Sequence, residues 1–166
     1  MIQRILKILS IALVVGAVAY LGSSFTSAGF TPDSQTGISW YESLTLPEWT
    51  PDGSVIGIAW GIIYLLTGIS AIIFYSRGVI GRRNYIVTGL FLINAVTNVL
   101  WSYFFFTEHA IGYAIFDMLL LLLSIYLLIH FIRKISIISA MLLYPYFLWV
   151  AFATILTVRI YMLNVV

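Results

Sequence analysis

Five long apolar runs, separated by short polar or charged segments, make up nearly the whole chain. They cover about residues 5–25, 53–76, 84–107, 110–132 and 135–158, and each reaches the roughly 20 residues that a helix needs to cross the hydrocarbon core of a bilayer. The apolarity is continuous rather than strictly alternating. Lipid offers no partner to an isolated strand's backbone, and a barrel strand would alternate, so each run is read as helix. The pattern predicts an all-α membrane protein, a bundle of five transmembrane helices. No internal repeat and no Gly/Ser-rich or Pro-rich linker divides it, so residues 1–166 are expected to form a single domain.

The connectors sort by charge. With alternating helices, Arg4 and Lys7, then Arg77, Arg82 and Arg83, then Arg133 and Lys134 fall on one side, leaving only Arg159 for the other. The positive-inside rule makes the basic side cytoplasmic, with the N-terminus inside and the C-terminus outside. The first loop, about residues 26–52, carries Asp33, Glu42, Glu48 and Asp52 and no base, and is expected outside together with Glu108 and His109. It is long and apolar for a loop, with Trp40, Tyr41, Leu44, Leu46, Pro47, Trp49 and Pro51, which suits a lid over the outer mouth of the bundle. Arg4, Lys7, the first apolar run and Thr26-Ser27-Ala28 also fit a cleavable signal peptide. Its length, and the better closure of a five-helix bundle, favour a true span.

Lipid accepts Leu, Ile, Val and Phe on any helix face, so the interior is read from polar, small and indole-bearing residues. Asn94, Asn98, Trp101 and Phe105 share one stripe of the third span, and Gly57, Trp60, Gly61, Tyr64 and Gly68 one of the second. Pro145, Trp149, Ala153 and Leu156 line the fifth, with Tyr146 beside them. Trp40 and Tyr161 fit an interfacial aromatic belt, but Trp60 and Trp149 lie about 10 to 20 Å into their spans at 1.5 Å per residue. A buried indole needs an acceptor for its N–H, which leaves two readings, a ligand cavity or an aromatic-packed core. Asp117 is the single acid inside a span. It is expected to pair with Arg159, the alternative being a proton-coupled transport carboxylate. His109 and His130 are expected to be solvated or interfacial. Tyr144-Pro145-Tyr146 is expected to kink the fifth helix and free a carbonyl.

Composition narrows the function classes. Of 166 residues 62% are hydrophobic and 8% charged, with a net charge of +2, so membrane lipid is the expected surroundings and nucleic acid is not an expected partner. With no cysteine and two histidines there is no thiolate chemistry, and no metal site is expected.

Taken in order, these residues resemble the TspO/MBR family (translocator protein, tryptophan-rich sensory protein, peripheral benzodiazepine receptor). The resemblance rests on Trp40-Tyr41 and Leu46-Pro47-Glu48-Trp49-Thr50-Pro51 in the first loop, and on Gly57 to Tyr64 (GIAWGIIY) in the second span. It continues through Asn94 to Phe105 (NAVTNVLWSYFF), Asp117, and Leu142 to Leu156 (LLYPYFLWVAFATIL). It departs at Asp52, where the family often has a second proline, and at Thr157, where it has asparagine. Arg159-x-Tyr161-x-Leu163 fits a reversed sterol pattern, from which no sterol transport is inferred.

The resemblance implies a homodimeric five-helix bundle that binds porphyrins such as protoporphyrin IX, with no cofactor required. It places the ligand against Tyr41 and Pro51 from the loop, Ile56, Trp60 and Tyr64 from the second span, Asn98 and Trp101 from the third, and Trp149, Ala153 and Leu156 from the fifth. The implied role is sensor, scavenger or regulator. The alternatives are light-dependent porphyrin degradation, with Trp60 and Trp149 as the candidate redox residues, and a small transporter of lipophilic molecules. Gly57, Gly61 and Gly68 offer a close-approach surface, for a dimer partner or for packing within one protomer. Strong positive-inside bias and a short N-terminus suggest a bacterial cytoplasmic membrane.

Overall fold

The computed structural model describes residues 2–165, the side chains of Gln3 and Arg4 excepted; Arg4 of the N-terminal basic cluster therefore lies outside the described side chains. The elements are α1 (Ile2–Gly29), a short α2 in the first loop (Trp40–Ser43), α3 (Gly53–Ser76), α4 (Arg82–Ser102) ending in a π-helical turn (Tyr103–Thr107), α5 (Ile111–Ile132), α6 (Ile137–Met141) and α7 (Tyr144–Asn164). Five stretches are long and apolar enough to cross a membrane, with α4 plus the π turn forming one and α6 plus α7 another. Among the described residues there is no strand, only an isolated bridge between Pro32 and Ser39.

The helices close into a ring. α1 packs against α3 and α4, α3 against α6 and α7, α7 against α5, and α5 against α4. α1 thus takes its place as a bundle helix. The lipid-facing surface is apolar, with Leu13, Ile58, Leu65, Phe116 and Leu148 all exposed, as expected where the solvent is hydrocarbon. Alternation of the spans gathers Lys7, Arg77, Arg82, Arg83, Arg133 and Lys134 at one end of the bundle, termed here the basic end, opposite the lid end formed by the first loop.

Two clusters fill the ring. Toward the basic end Phe74, Val87, Leu121, Ile125, Leu128, Ile132, Leu143 and Val150 are buried together. Toward the lid end Phe105, Phe106, Ile111, Ala114, Leu156 and Ile160 form the second, with Trp40, Tyr41, Leu44 and Leu46 of the first loop packed on it. Ser70 of α3 and Ser139 of α6 pin the first cluster reciprocally, since each hydroxyl donates to the other's backbone carbonyl, at 2.8 and 2.7 Å. Such small polar residues let membrane helices approach closely and replace a hydrophobic drive that lipid does not supply.

The second span coincides with its expected bounds, whereas the fifth is broken rather than merely kinked. Pro145 stands in the first turn of α7, where its missing N–H costs no helical bond, and a turn at Leu142 and Leu143 separates it from α6. The span then runs on to Asn164 instead of stopping at residue 158. α1 likewise outlasts its expected end near residue 25, for the hydroxyls of Ser24, Thr26 and Ser27 bond back to the carbonyls of Tyr20, Gly22 and Ser23 and keep a polar stretch helical. Between α3 and α4, Gly78 has φ +66° and ends α3 in the left-handed conformation open to glycine.

Candidate functional site

The first loop folds onto one end of the bundle because local hydrogen bonds shape it and aromatic side chains anchor it. Asp33 Oδ1 accepts from the N–H groups of Gln35 and Thr36, both at 2.9 Å. Ser39 and Glu42 then form a capping box at the start of α2, the Ser39 N–H and hydroxyl donating to Glu42 Oε2 at 2.9 and 2.7 Å. α2 sets two anchors. Trp40 stacks on His109 at 4.2 Å between ring centroids and meets Phe105 edge-on at 5.2 Å. Tyr41 packs on Phe30 and Phe106, and its burial pushes the phenol above its usual pKa, so it stays neutral. His109 is exposed, as expected, but its backbone at φ +54° lies in the left-handed region, a cost of order 1–2 kcal/mol that the stack on Trp40 helps to offset. Trp49 reaches Phe152 of α7.

Beneath this lid lies a cavity of about 840 Å³, walled by α1, α3, the end of α4 and the first loop. Tyr41, Pro51, Ile56, Trp60, Tyr64, Asn98 and Trp101 line it, together with Gly57 and Gly61. A narrower annex of about 60 Å³ continues toward α7, and Trp149, Ala153 and Leu156 line that, facing Trp60, Trp101 and Tyr41. All ten expected ligand-contacting residues thus border one or other compartment. The indole of Trp60 is central, since it lies parallel to the Tyr64 ring at 5.7 Å and close to Trp101 at 5.9 Å. Two indole N–H groups, those of Trp101 and Trp149, are buried without a protein acceptor. Such a group ordinarily finds one.

A polar layer floors the cavity. Tyr64 Oη donates to Asn98 Oδ1 at 3.0 Å, Asn98 Nδ2 donates to Tyr146 Oη at 2.9 Å, and Tyr146 in turn donates to Asn94 Oδ1 at 3.3 Å. Asn94 Nδ2 passes the chain to Ser124 Oγ at 2.9 Å, and Ser124 ends it on the Leu121 carbonyl at 2.7 Å. The Asn98 carboxamide, expected to face a ligand, therefore serves the floor first and has one N–H left over.

Several expectations need correction. Asp117 does not pair with Arg159: it is 4% exposed with Oδ2 unpartnered, while Arg159 sits on the exposed face of α7. Pro145 leaves the inward stripe of the fifth span, being exposed where Tyr146 is buried. The glycines of α3 divide between two duties. Gly57 and Gly61 border the cavity with nothing near a virtual Cβ, and Gly68 packs 3.7 Å from Val15 of α1.

Sequence reasoning overlooked Phe106, Phe30, Thr26 and Ser102, which also line the cavity. Phe106 enters because the π turn, with bonds from Glu108 N–H to the Tyr103 carbonyl at 3.0 Å and from Ala110 N–H to the Phe104 carbonyl at 2.8 Å, lets Phe105 and Phe106 both point inward. Such turns recur at functional sites. The run of three phenylalanines after Trp101 was the available signal. Among the described residues no group of three His, Asp or Glu could hold a metal ion.

Comparison with known proteins agrees with this architecture. The family model for the TspO/MBR family matches residues 10–163. The tryptophan-rich protein TspO of Bacillus cereus is 37% identical over 153 residues, covering 92% of this chain and 96% of that protein. An uncharacterized membrane protein of Bacillus subtilis, YtaB, is 39% identical over 155 residues, covering 92% and 96%, and the human translocator protein is 31% identical over 119 residues, covering 71% and 70%. With the model match running almost end to end over a five-span helical chain, this integral membrane protein belongs to the TspO/MBR family.

Proposed function

We propose that the lid-covered cavity binds a flat, largely apolar tetrapyrrole such as protoporphyrin IX, and that the protein acts as its sensor, scavenger or regulator. One observation carries the reading: two buried indole N–H groups without acceptors, on Trp101 and Trp149, border a connected aromatic space whose main compartment holds about 840 Å³. That volume lies in the range of small-molecule sites. Trp60, Tyr41 and Trp101 supply ring faces for stacking, and the indole N–H groups supply donors to a carboxylate or carbonyl at the ligand's rim. The cavity walls contain no nucleophile and no acid–base pair, so the protein's part is to hold and orient. Trp60 and Trp101 in contact at 5.9 Å also support the second reading, in which photoexcited ligand takes an electron from an indole, and there the chemistry belongs to the pigment.

The basic end is assigned to the cytoplasm, in a bacterial inner membrane, from the clustering of six described cations there and one at the other end. A homodimer fits this reading if it avoids the Gly57–Gly61 stripe, since a partner packed there would occlude the cavity.

The test is a dark titration of the detergent-solubilised protein with protoporphyrin IX, followed by the pigment's own absorbance shift. Wild type should bind saturably. Gly57→Phe, which projects a ring into the cavity from a position with no near neighbour, and Trp101→Phe should each weaken binding at least about tenfold. Equal affinity in all three proteins would return the tryptophans to simple packing. Loss of pigment absorbance under light, in wild type but not in a Trp60→Phe, Trp149→Phe double variant, would select the second reading.

A further inference from the structure

A second cavity, of about 490 Å³, lies on the far side of the polar floor, between α1, α3 and α4. The two spaces share Tyr64 and Asn98 as a common wall, so the hydrogen-bonded layer acts as a septum. Their linings differ in kind. Where the outer space presents indole and phenyl faces, the walls of the inner one are mostly aliphatic along α1, where Ile11, Val14, Val15 and Val18 face it. From Lys7 at its mouth to Val18 at its deep end the cavity follows eleven residues of α1, about 16 Å at 1.5 Å per residue.

Charge adds a direction. Lys7 stands at the mouth with Ser10, Asn84 and the Tyr75–Thr88 hydroxyl pair, whose oxygens are 2.7 Å apart. The six acids of the chain are Asp33, Glu42, Glu48, Asp52, Glu108 and Asp117, all in the first loop, at the lid-side connector or in the lid half of α5. None is available to Lys7. The mouth is therefore a cationic and hydroxyl-bearing rim on an aliphatic slot. At the deep end Thr67 Oγ1 is buried without a partner in the cavity wall, a donor that packing alone leaves unused.

We infer that this inner cavity binds a single-chain anionic amphiphile of the long-chain fatty acid type, with its carboxylate at Lys7 and its chain running along α1 toward the Tyr64–Asn98 septum. Aliphatic walls favour a flexible chain over an aromatic plate. A cation near the membrane surface with no protein counter-ion favours an anionic head, by about 1 kcal/mol for each such residue. The inference holds whether or not the outer cavity takes a tetrapyrrole, because the two sites have separate linings apart from the septum.

The test uses the full chain in nanodiscs of zwitterionic phosphatidylcholine and a palmitate carrying a photoreactive diazirine on its chain, with cross-links mapped by mass spectrometry. Labelling should be saturable, competed by unlabelled palmitate, and concentrated on residues 11–18 of α1 and 88–95 of α4. Lys7→Glu should reduce it at least about tenfold, and so should Ala95→Phe, which fills the slot from α4. Protoporphyrin titration and thermal unfolding of the two variants verify that the fold and the outer cavity are intact. The methyl ester of the probe should label weakly. Labelling spread over lipid-facing residues such as Leu13 and Leu148, an undiminished signal in Lys7→Glu, or equal labelling by the ester would overturn the assignment. Displacement of the probe by diacyl phosphatidylglycerol in the disc as effectively as by palmitate would overturn the single-chain ligand and point to a bilayer lipid headgroup.

Discussion

The side-chain carboxamide of Asn164, at the end of α7, pairs with both backbone groups of Thr45 in the lid: Oδ1 accepts from the Thr45 N–H at 2.8 Å and Nδ2 donates to the Thr45 carbonyl at 3.0 Å. The same Nδ2 donates to the Ile160 carbonyl at 2.8 Å, which fixes the rotamer. The last helix thus latches the first loop across 119 residues of sequence. Replacing Asn164 with Asp removes both N–H donors and keeps the shape. At about 0.5–1.5 kcal/mol net for each hydrogen bond, Asn164→Asp should loosen the lid by about 1–2 kcal/mol. Hydrogen exchange at the Thr45 amide is the readout, and unchanged protection in the variant would contradict the latch.

The septum makes a prediction about stability. Tyr146 is 3% exposed and holds Asn98 and Asn94 through one hydroxyl. Tyr146→Phe leaves both carboxamides short of a partner in the bundle core, a loss of about 1–3 kcal/mol. Tyr64→Phe removes a donor at the cavity edge and should cost less. Thermal unfolding in one detergent ranks the two, and the reverse order would show that the floor is held from the Tyr64 side.

Two glycines should respond oppositely to the same methyl group. At Gly29 a Cβ would stand 2.6 Å from Cδ1 of Phe106, so Gly29→Ala must displace the ring on which Phe30 and Tyr41 pack, at about 1–3 kcal/mol. At Gly57 a Cβ meets nothing within 4 Å, and Gly57→Ala should be neutral or stabilising by up to about 1 kcal/mol. Melting temperatures of the two variants decide; a fall for both would mean that Gly57 is in contact after all.

The lid should weaken in acid. Glu42 is held below the usual carboxylate range because the Ser39 hydroxyl and then the Ser39 backbone N–H donate to it, and Asp33 by the N–H groups of Thr36 and Gln35. Each folded-state pKa is depressed, so the contribution is complete above the unfolded value near 4 and disappears as pH falls through the lower folded one. Lid protection followed from pH 6 to pH 2 should drop in wild type and drop less in Glu42→Gln. An identical profile in the two proteins would remove the capping box from the account.

Much of the architecture is written in one-dimensional patterns, because a lipid solvent demands about 20 apolar residues for each crossing and places charge between them. The second span shows this at its plainest. The ends of helices are harder to read where side chains act locally: Ser24, Thr26 and Ser27 look like loop residues, yet their back-bonding extends α1 to Gly29. The Asn98–Trp101 spacing and the Trp60–Tyr64 step were legible at the site since both residues of each pair fall on one face of a single helix. Partnerships between helices were not. Asp117 and Arg159 lie near the same end of their spans, but depth says nothing about rotation about the axis, and the two face differently. The π turn and the inner cavity depend on phase and on the fit of three helices, and neither leaves a compositional trace.

A π turn contains one residue more than the α geometry on either side requires. Across Tyr103–Thr107 that surplus sets the angular position of everything downstream, including the His109 ring that meets Trp40 and the entry into α5. Removing any one residue from this run would let it relax to α geometry and swing the following backbone by about 100°, the rotation of one residue at 3.6 per turn. Exchanging one aromatic for another would leave that angle alone. The segment should thus be tolerant in spelling and strict in length.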